Sequence, residues 1–265
     1  MRDESFARLE IGARYLDLEY VRIAPDNPGP LLIFLHEGLG SVAMWRTFPQ
    51  TLCEAVGCRG LVYSRAGYGR SSPFWSTPDW PIDFMHVEAR ELLPKFLAVV
   101  GVDSAADPPV LVGHSDGASI ALIYASSSPT SVAGVVAMAP HIFVEPLTIE
   151  GIAKTRKDFL TSDLPARLGK YHDDIQKLFW GWANVWLRPA FRGWDIERLL
   201  SGIQCPVLLI QGSGDKYGTM AQIDRVSSQV AESTAVKLSD CGHSPHVDQT
   251  ALVIEAIGRF LRRAR

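Results

Sequence analysis

The chain has 265 residues, 47% of them hydrophobic and 21% charged, a composition that supports one large domain with a substantial buried core. A formal net charge of -3 and the lack of any Lys/Arg-rich tract exclude the basic field that binding to a phosphate backbone needs, so nucleic acid is not an expected partner. Residues 1–11 contain Arg2, Asp3, Glu4, Arg8 and Glu10, and no stretch approaches roughly 20 apolar residues; neither a secretory leader nor membrane contact is expected, and the protein reads as soluble and cytoplasmic.

In chain order, residues 15–23 alternate apolar and polar side chains, the period-two pattern of a half-exposed antiparallel strand, and 25–30 supply a proline-bounded turn. Leu31-Leu32-Ile33-Phe34-Leu35 is a continuous apolar run of the buried-strand type. Similar runs at 60–63, 110–112, 132–138 and 207–210 are separated by helix-compatible segments such as 84–99 and 117–126. This alternation predicts a mainly parallel sheet covered on both faces, with reactive groups in loops at the carboxyl ends of its strands. From 142 to 200 no buried strand is predicted. That segment reads as a helical insertion whose Trp180, Trp182, Trp186 and Trp194 pack as core or, for at least one of them, line an apolar cleft. Residues 235–238 offer a last short strand, and 249–263 have the spacing of a closing amphipathic helix.

The segment Gly113-His114-Ser115-Asp116-Gly117 joins the run at 110–112 to the helical stretch after it, and it has the G-x-S-x-G pattern of a nucleophile elbow. Ser115 is therefore the candidate nucleophile, although so short a pattern also fits a plain glycine-containing turn. A serine hydroxyl needs a base within hydrogen-bond reach, and the base needs an orienting carboxylate. Asp215, in Gly212-Ser213-Gly214-Asp215, follows the strand at 207–210; His243, in Gly242-His243-Ser244-Pro245, follows the strand at 235–238. The order Ser115, Asp215, His243 is the one an elbow serine uses on this kind of sheet. His114 and His246 compete for the base role, but the elbow geometry is expected to point His114 away from the base's approach, and His246 falls closer to the helix start. Asp240 and Asp248 are rival acids without the glycine-flanked loop of Asp215. Donors for a developing oxyanion are expected from the backbone N–H of Asp116 and from Gly38 or Leu39 in His36-Glu37-Gly38-Leu39-Gly40. The four cysteines, Cys53, Cys58, Cys205 and Cys241, show no C-x-x-C pairing or metal-type spacing and read as reduced core thiols, with a thiol role for Cys241 beside His243 the alternative.

On these segments the chain resembles the α/β-hydrolase superfamily over essentially its full length, in its serine esterase-like branch. His36-Glu37-Gly38-Leu39-Gly40 resembles the HG-type oxyanion loop, with Glu37 where glycine is more usual. Ser64-Arg65-Ala66-Gly67-Tyr68-Gly69-Arg70-Ser71 is similar to a D-x-R-G-x-G-x-S loop, with Ser64 in place of the leading aspartate. The resemblance implies a mostly parallel eight-stranded sheet flanked by helices, a core of residues 1–140 and 201–265, and a helical cap of residues 141–200 between the sixth and seventh strands. It also implies a Ser-His-Asp mechanism with no metal or organic cofactor. Serine at the elbow argues against the haloalkane dehalogenase and epoxide hydrolase branches, which place aspartate there.

The expected activity is hydrolysis of small-molecule carboxylic esters through an acyl-enzyme. The alternatives are a lactonase, a carbon-carbon bond hydrolase acting on a diketo acid, and a ligand receptor that keeps the triad without turnover. For the diketo acid, an inward-facing member of Lys154, Arg156, Lys157, Arg167, Lys170, Arg188 and Arg192 would hold the carboxylate. The composition is compatible with a monomer or a homo-oligomer.

Overall fold

The computed structural model describes residues 5–263, so the first four residues of the charged N-terminal segment lie outside it. An eight-stranded sheet in the order β1-β2-β4-β3-β5-β6-β7-β8 organises the chain. Strands β1 (Ser5–Ile11) and β2 (Arg14–Ile23) form an antiparallel hairpin, and β2 also runs antiparallel to β4 (Arg59–Tyr63). The remaining neighbours, β3 (Leu31–Leu35), β5 (Val110–His114), β6 (Gly134–Met138), β7 (Val207–Gly212) and β8 (Ser233–Leu238), pair in parallel. The continuous apolar runs become the central strands: every residue of β3, β5, β6 and β7 is buried, as a parallel strand covered on both faces must be.

Between the early strands lie α1 (Phe48–Val56), then α2 (Phe84–Val87) and α3 (Leu93–Val99), which are joined by a π-helical turn over Glu88–Leu92. The expected helix at 84–99 is thus one run with a widened turn, beside Pro94, whose missing N–H leaves the carbonyl one turn earlier without its usual partner. Helix α4 (Asp116–Ser127) is buried from Asp116 to Ala125, so it shows no amphipathic stripe. The region between β6 and β7 is helical, as expected: α5 (Pro146–Thr161), α6 (Leu164–Leu168) and α7 (Ile175–Leu187), followed by short 3₁₀ turns. Helix α8 (Ala221–Gln229) connects β7 to β8, and a short α9 (Pro245–Asp248) precedes α10 (Thr250–Arg263).

Two apolar clusters occupy the two faces of the sheet. The buried strands need no alternation of apolar and polar residues, yet the side-chain period of two still sorts them: Ile33 and Leu35 enter one cluster while Leu32 and Phe34 enter the other. Among the described residues no helix is long and apolar enough to cross a membrane.

Candidate active site

The segment 113–117 makes the turn from β5 into α4, and its two glycines are dictated by space. A Cβ at Gly113 would collide with the Gly117 carbonyl oxygen, and one at Gly117 would collide with the Leu35 carbonyl oxygen. Ser115 between them is held at φ 53°, ψ -120°, a left-handed conformation costly for a residue with a side chain. The surroundings enforce it: the Ser115 N–H donates to the Met138 carbonyl of the neighbouring strand at 2.9 Å, and the Ser115 carbonyl accepts from Ala118 and Ser119.

His243 Nε2 lies 2.9 Å from Ser115 Oγ, and His243 Nδ1 lies 2.9 and 2.8 Å from the two carboxylate oxygens of Asp215. The three residues read from the sequence as nucleophile, base and acid are therefore brought together by the ends of β5, β7 and β8. Burial of Asp215 works against its charge, but hydrogen bonds from His243 and the Tyr217 N–H outweigh it and hold the carboxyl below its ordinary range. The Gln211 amide nitrogen donates to the same carboxylate at 2.7 Å. An ionised Asp215 places the imidazole proton on Nδ1, so Nε2 presents its lone pair to the serine hydroxyl.

The rival residues find other work. His114 does not point away from the base: its ring lies beside that of His243, with centroids 5.2 Å apart, and Nε2 is 2.7 Å from the His243 carbonyl. A carbonyl only accepts, so His114 donates there and props the base loop from behind. His246 is packed against Trp45 and Phe48, and burial pushes its imidazole down to about 3, so it stays neutral. Asp248 accepts the Gly242 N–H at 2.8 Å, and Asp240 turns the chain at φ 52°. Cys241 is buried and its thiol is pushed up to about 11 by burial, which leaves it protonated and a poor nucleophile; all four cysteines are free.

A cavity of about 230 Å³ opens onto Ser115 and His243, bordered by Gly38, Leu39 and Asp116. Asp116 begins α4, so its N–H has no intrahelical partner. In the loop after β3, Gly40 N–H donates to the Glu37 carbonyl at 3.1 Å, closing a turn whose central amides, Gly38 and Leu39, lie outside that bond. The Glu37 carbonyl is further held by His36 Nδ1 at 2.7 Å and by the Arg65 guanidinium at 2.9 Å. Arg65 N–H donates to His36 Nε2, which puts the His36 proton on Nδ1 and makes both contacts to Glu37 donor bonds. With its carbonyl tied back this way, the loop can turn an amide toward the serine.

Several residues that shape this site carry only indirect signals in the sequence. Arg65, only 2% exposed, lies 3.8 Å from the Asp116 carboxylate as well as on Glu37, so it braces both donor segments. Burial, tempered by Arg65, pushes the Asp116 carboxyl up to about 6. His172, from the helical region, accepts the Gly69 N–H and lies 3.0 Å from the Leu39 carbonyl, linking the 64–71 loop to the loop after β3. Tyr217 packs its ring 4.7 Å from that of His243 and bonds Thr155 of α5. Of the four tryptophans, Trp182 and Trp186 line the cavity; Trp180 meets Phe159 and Phe179 edge-on, and Trp194 packs on Phe191. The available signals are an arginine inside the glycine-rich 64–71 segment and tryptophans spaced four apart on α7. A larger cavity of about 280 Å³, walled by Phe74, Trp75 and Trp80, is lined by none of the three residues of the hydrogen-bonded chain.

The family model described as the alpha/beta hydrolase family matches residues 32–256. Epoxide hydrolase B of Mycobacterium tuberculosis is 34% identical over 116 residues, which are 43% of this chain and 30% of that protein, so the match spans less than a third of the relative's length. The crystal structure of the enol-lactonase from Burkholderia xenovorans LB400 superposes with a TM-score of 0.71 at 19% identity, covering 93% of this chain and 97% of that one. A thermophilic esterase from Thermogutta terrifontis gives a TM-score of 0.69 at 19% identity over 99% of both chains. At these identities the two structural likenesses concern the fold.

Proposed function

This chain belongs to the alpha/beta hydrolase family, and from that premise we propose that it is a serine hydrolase that cleaves carboxylic esters of small molecules. The observation that carries the proposal is the continuous hydrogen-bonded chain from Ser115 Oγ through His243 to Asp215. In the proposed cycle His243 Nε2 takes the hydroxyl proton as Ser115 Oγ attacks the acyl carbon. Asp215 stabilises the imidazolium, and the amides of Asp116 and of Gly38 or Leu39 bind the oxyanion. His243 returns the proton to the departing alkoxide, leaving an acyl-serine; water, deprotonated by the same nitrogen, then releases the acid.

Residues 141–200 act in this reading as a cap that shapes the acyl and alcohol pockets through Ile152, Thr155, Trp182 and Trp186. The partner is a small molecule, and no residue role calls for a nucleic acid, a membrane or a cofactor. Among the described residues, none of the nine lysines and arginines of residues 141–200 lines the cavity, which weighs against the diketo-acid alternative.

The test is kinetic. Ser115→Ala is expected to lower turnover of p-nitrophenyl acetate by at least about 10³-fold, and wild-type turnover by that variant would refute the proposal.

A further inference from the structure

Glu37 has no place in the cycle above, yet its side chain borders the cavity and is 26% exposed. Its carboxylate lies 3.5 Å from His114 Nδ1, and that nitrogen makes no hydrogen bond. The other ring nitrogen, His114 Nε2, is committed as a donor to the His243 carbonyl.

The cavity thus has a carboxylate in its wall. Among the described residues no lysine or arginine lines it, and its other walls include the aromatic rings of Trp182, Trp186 and Tyr217. Four basic residues of the helical region are engaged elsewhere: Lys154 with Asp158, Arg167 with Asp163, Arg188 with Asp79, and Arg156 over the Trp180 ring. Arg65, beneath the site, is taken up by the Glu37 carbonyl and the Asp116 carboxylate. A carboxylate beside aromatic faces is a combination that attracts ammonium groups and repels carboxylates.

We propose that Glu37 is a specificity-determining residue that selects ester substrates carrying a cationic ammonium group and turns away those carrying a second carboxylate. The proposal rests on the serine hydrolase reading for the bond cleaved, but the charge preference belongs to the cavity and can be measured without turnover.

Three p-nitrophenyl esters of matched length provide the kinetic arm: the pentanoate, the glutarate with its free carboxylate, and 4-(trimethylammonio)butanoate. At low ionic strength the wild type is expected to favour the cationic over the anionic ester by about tenfold or more in kcat/KM, and Glu37→Gln is expected to bring that ratio close to one. Because Glu37→Gln is isosteric, the neutral ester serves as the reference within each protein. The binding arm uses Ser115→Ala, reading tryptophan fluorescence on titration with butyltrimethylammonium and with butyrate; binding of the cation, lost on adding Glu37→Gln, is expected. Equal kcat/KM for the cationic and anionic esters, an unchanged ratio in Glu37→Gln, or equal binding of the two ions overturns the proposal. Inert esters with a retained charge preference in binding would refute the ester reading while supporting the role of Glu37.

Discussion

Replacing Asp215 with asparagine removes one charge from the proposed machinery and almost nothing from its shape. In the structure Asp215 is 1% exposed at its side chain and His243 is 18% exposed, with Nδ1 within 2.9 Å of both carboxylate oxygens. When His243 takes the serine proton, the positive charge on the ring and the negative charge on Asp215 are centred about 4 Å apart. At an effective dielectric of about 20 that attraction amounts to about 4 kcal/mol, and it exists only once the proton has moved. Losing it should lower kcat/KM for p-nitrophenyl acetate by about 10³-fold, since about 1.4 kcal/mol corresponds to tenfold. The fold should survive. The new amide nitrogen would face Gln211 Nε2 where a carboxylate oxygen stood, but Gln211 Oε1 is buried without a partner, so the glutamine can rotate to accept from it, giving up its bond to the Gly218 carbonyl. The assay pairs steady-state kinetics with a thermal melt followed by circular dichroism. A loss of less than tenfold in a folded variant would refute the reasoning, because the carboxylate would then not be stabilising the imidazolium.

Two further substitutions probe the surroundings. Gly38→Ala should lower kcat/KM by about 10²-fold and alter the tryptophan emission, because a Cβ there would collide with Trp182 Nε1 and either the indole or the oxyanion loop must move; unchanged kinetics and emission would show that the loop has slack. Asp116→Asn tests a stability linkage. The folded-state carboxyl is pushed up to about 6, above its unfolded value of about 3.9, so between roughly pH 4 and 6 the folded state holds the proton more tightly and stability falls as pH rises. The variant should lose that fall, which urea titrations at pH 4, 5, 6 and 7 would read; identical pH dependence in wild type and variant would contradict it.

The fold is legible wherever a single physical requirement shapes a local run of residues. Strands covered on both faces need unbroken apolar sequence, so 31–35, 60–63, 110–112 and 207–210 announce themselves within a residue or two of their observed ends. Strand β1 is missed by that criterion, because its buried Ala7 and Leu9 alternate with exposed Phe6, Arg8 and Glu10 and its apolar face is only two residues long. Helices α1 and α8 escape a local reading because their short apolar stripes are diluted by polar positions.

The elbow is legible for the same local reason. A turn in which a Cβ at either glycine would collide with backbone admits few residue types, so 113–117 carries its geometry in its composition. The order of Ser115, Asp215 and His243 along the chain is equally readable, since each follows a strand of one sheet. What the sequence does not contain is the sorting of five histidines, three lining the cavity and two packed behind it. His36, His114, His141, His243 and His246 are alike as letters; burial, ring contacts and the direction of each donated proton separate the base from its supports. Glu37 and Arg65 show the same limit. Their charges are visible in the sequence, but only the tertiary structure sets one carboxylate at the cavity beside a histidine ring and turns one guanidinium beneath it onto a backbone carbonyl. Strand and turn formation respond to neighbours in the chain, whereas the field inside a cavity is the sum of groups brought together from distant segments.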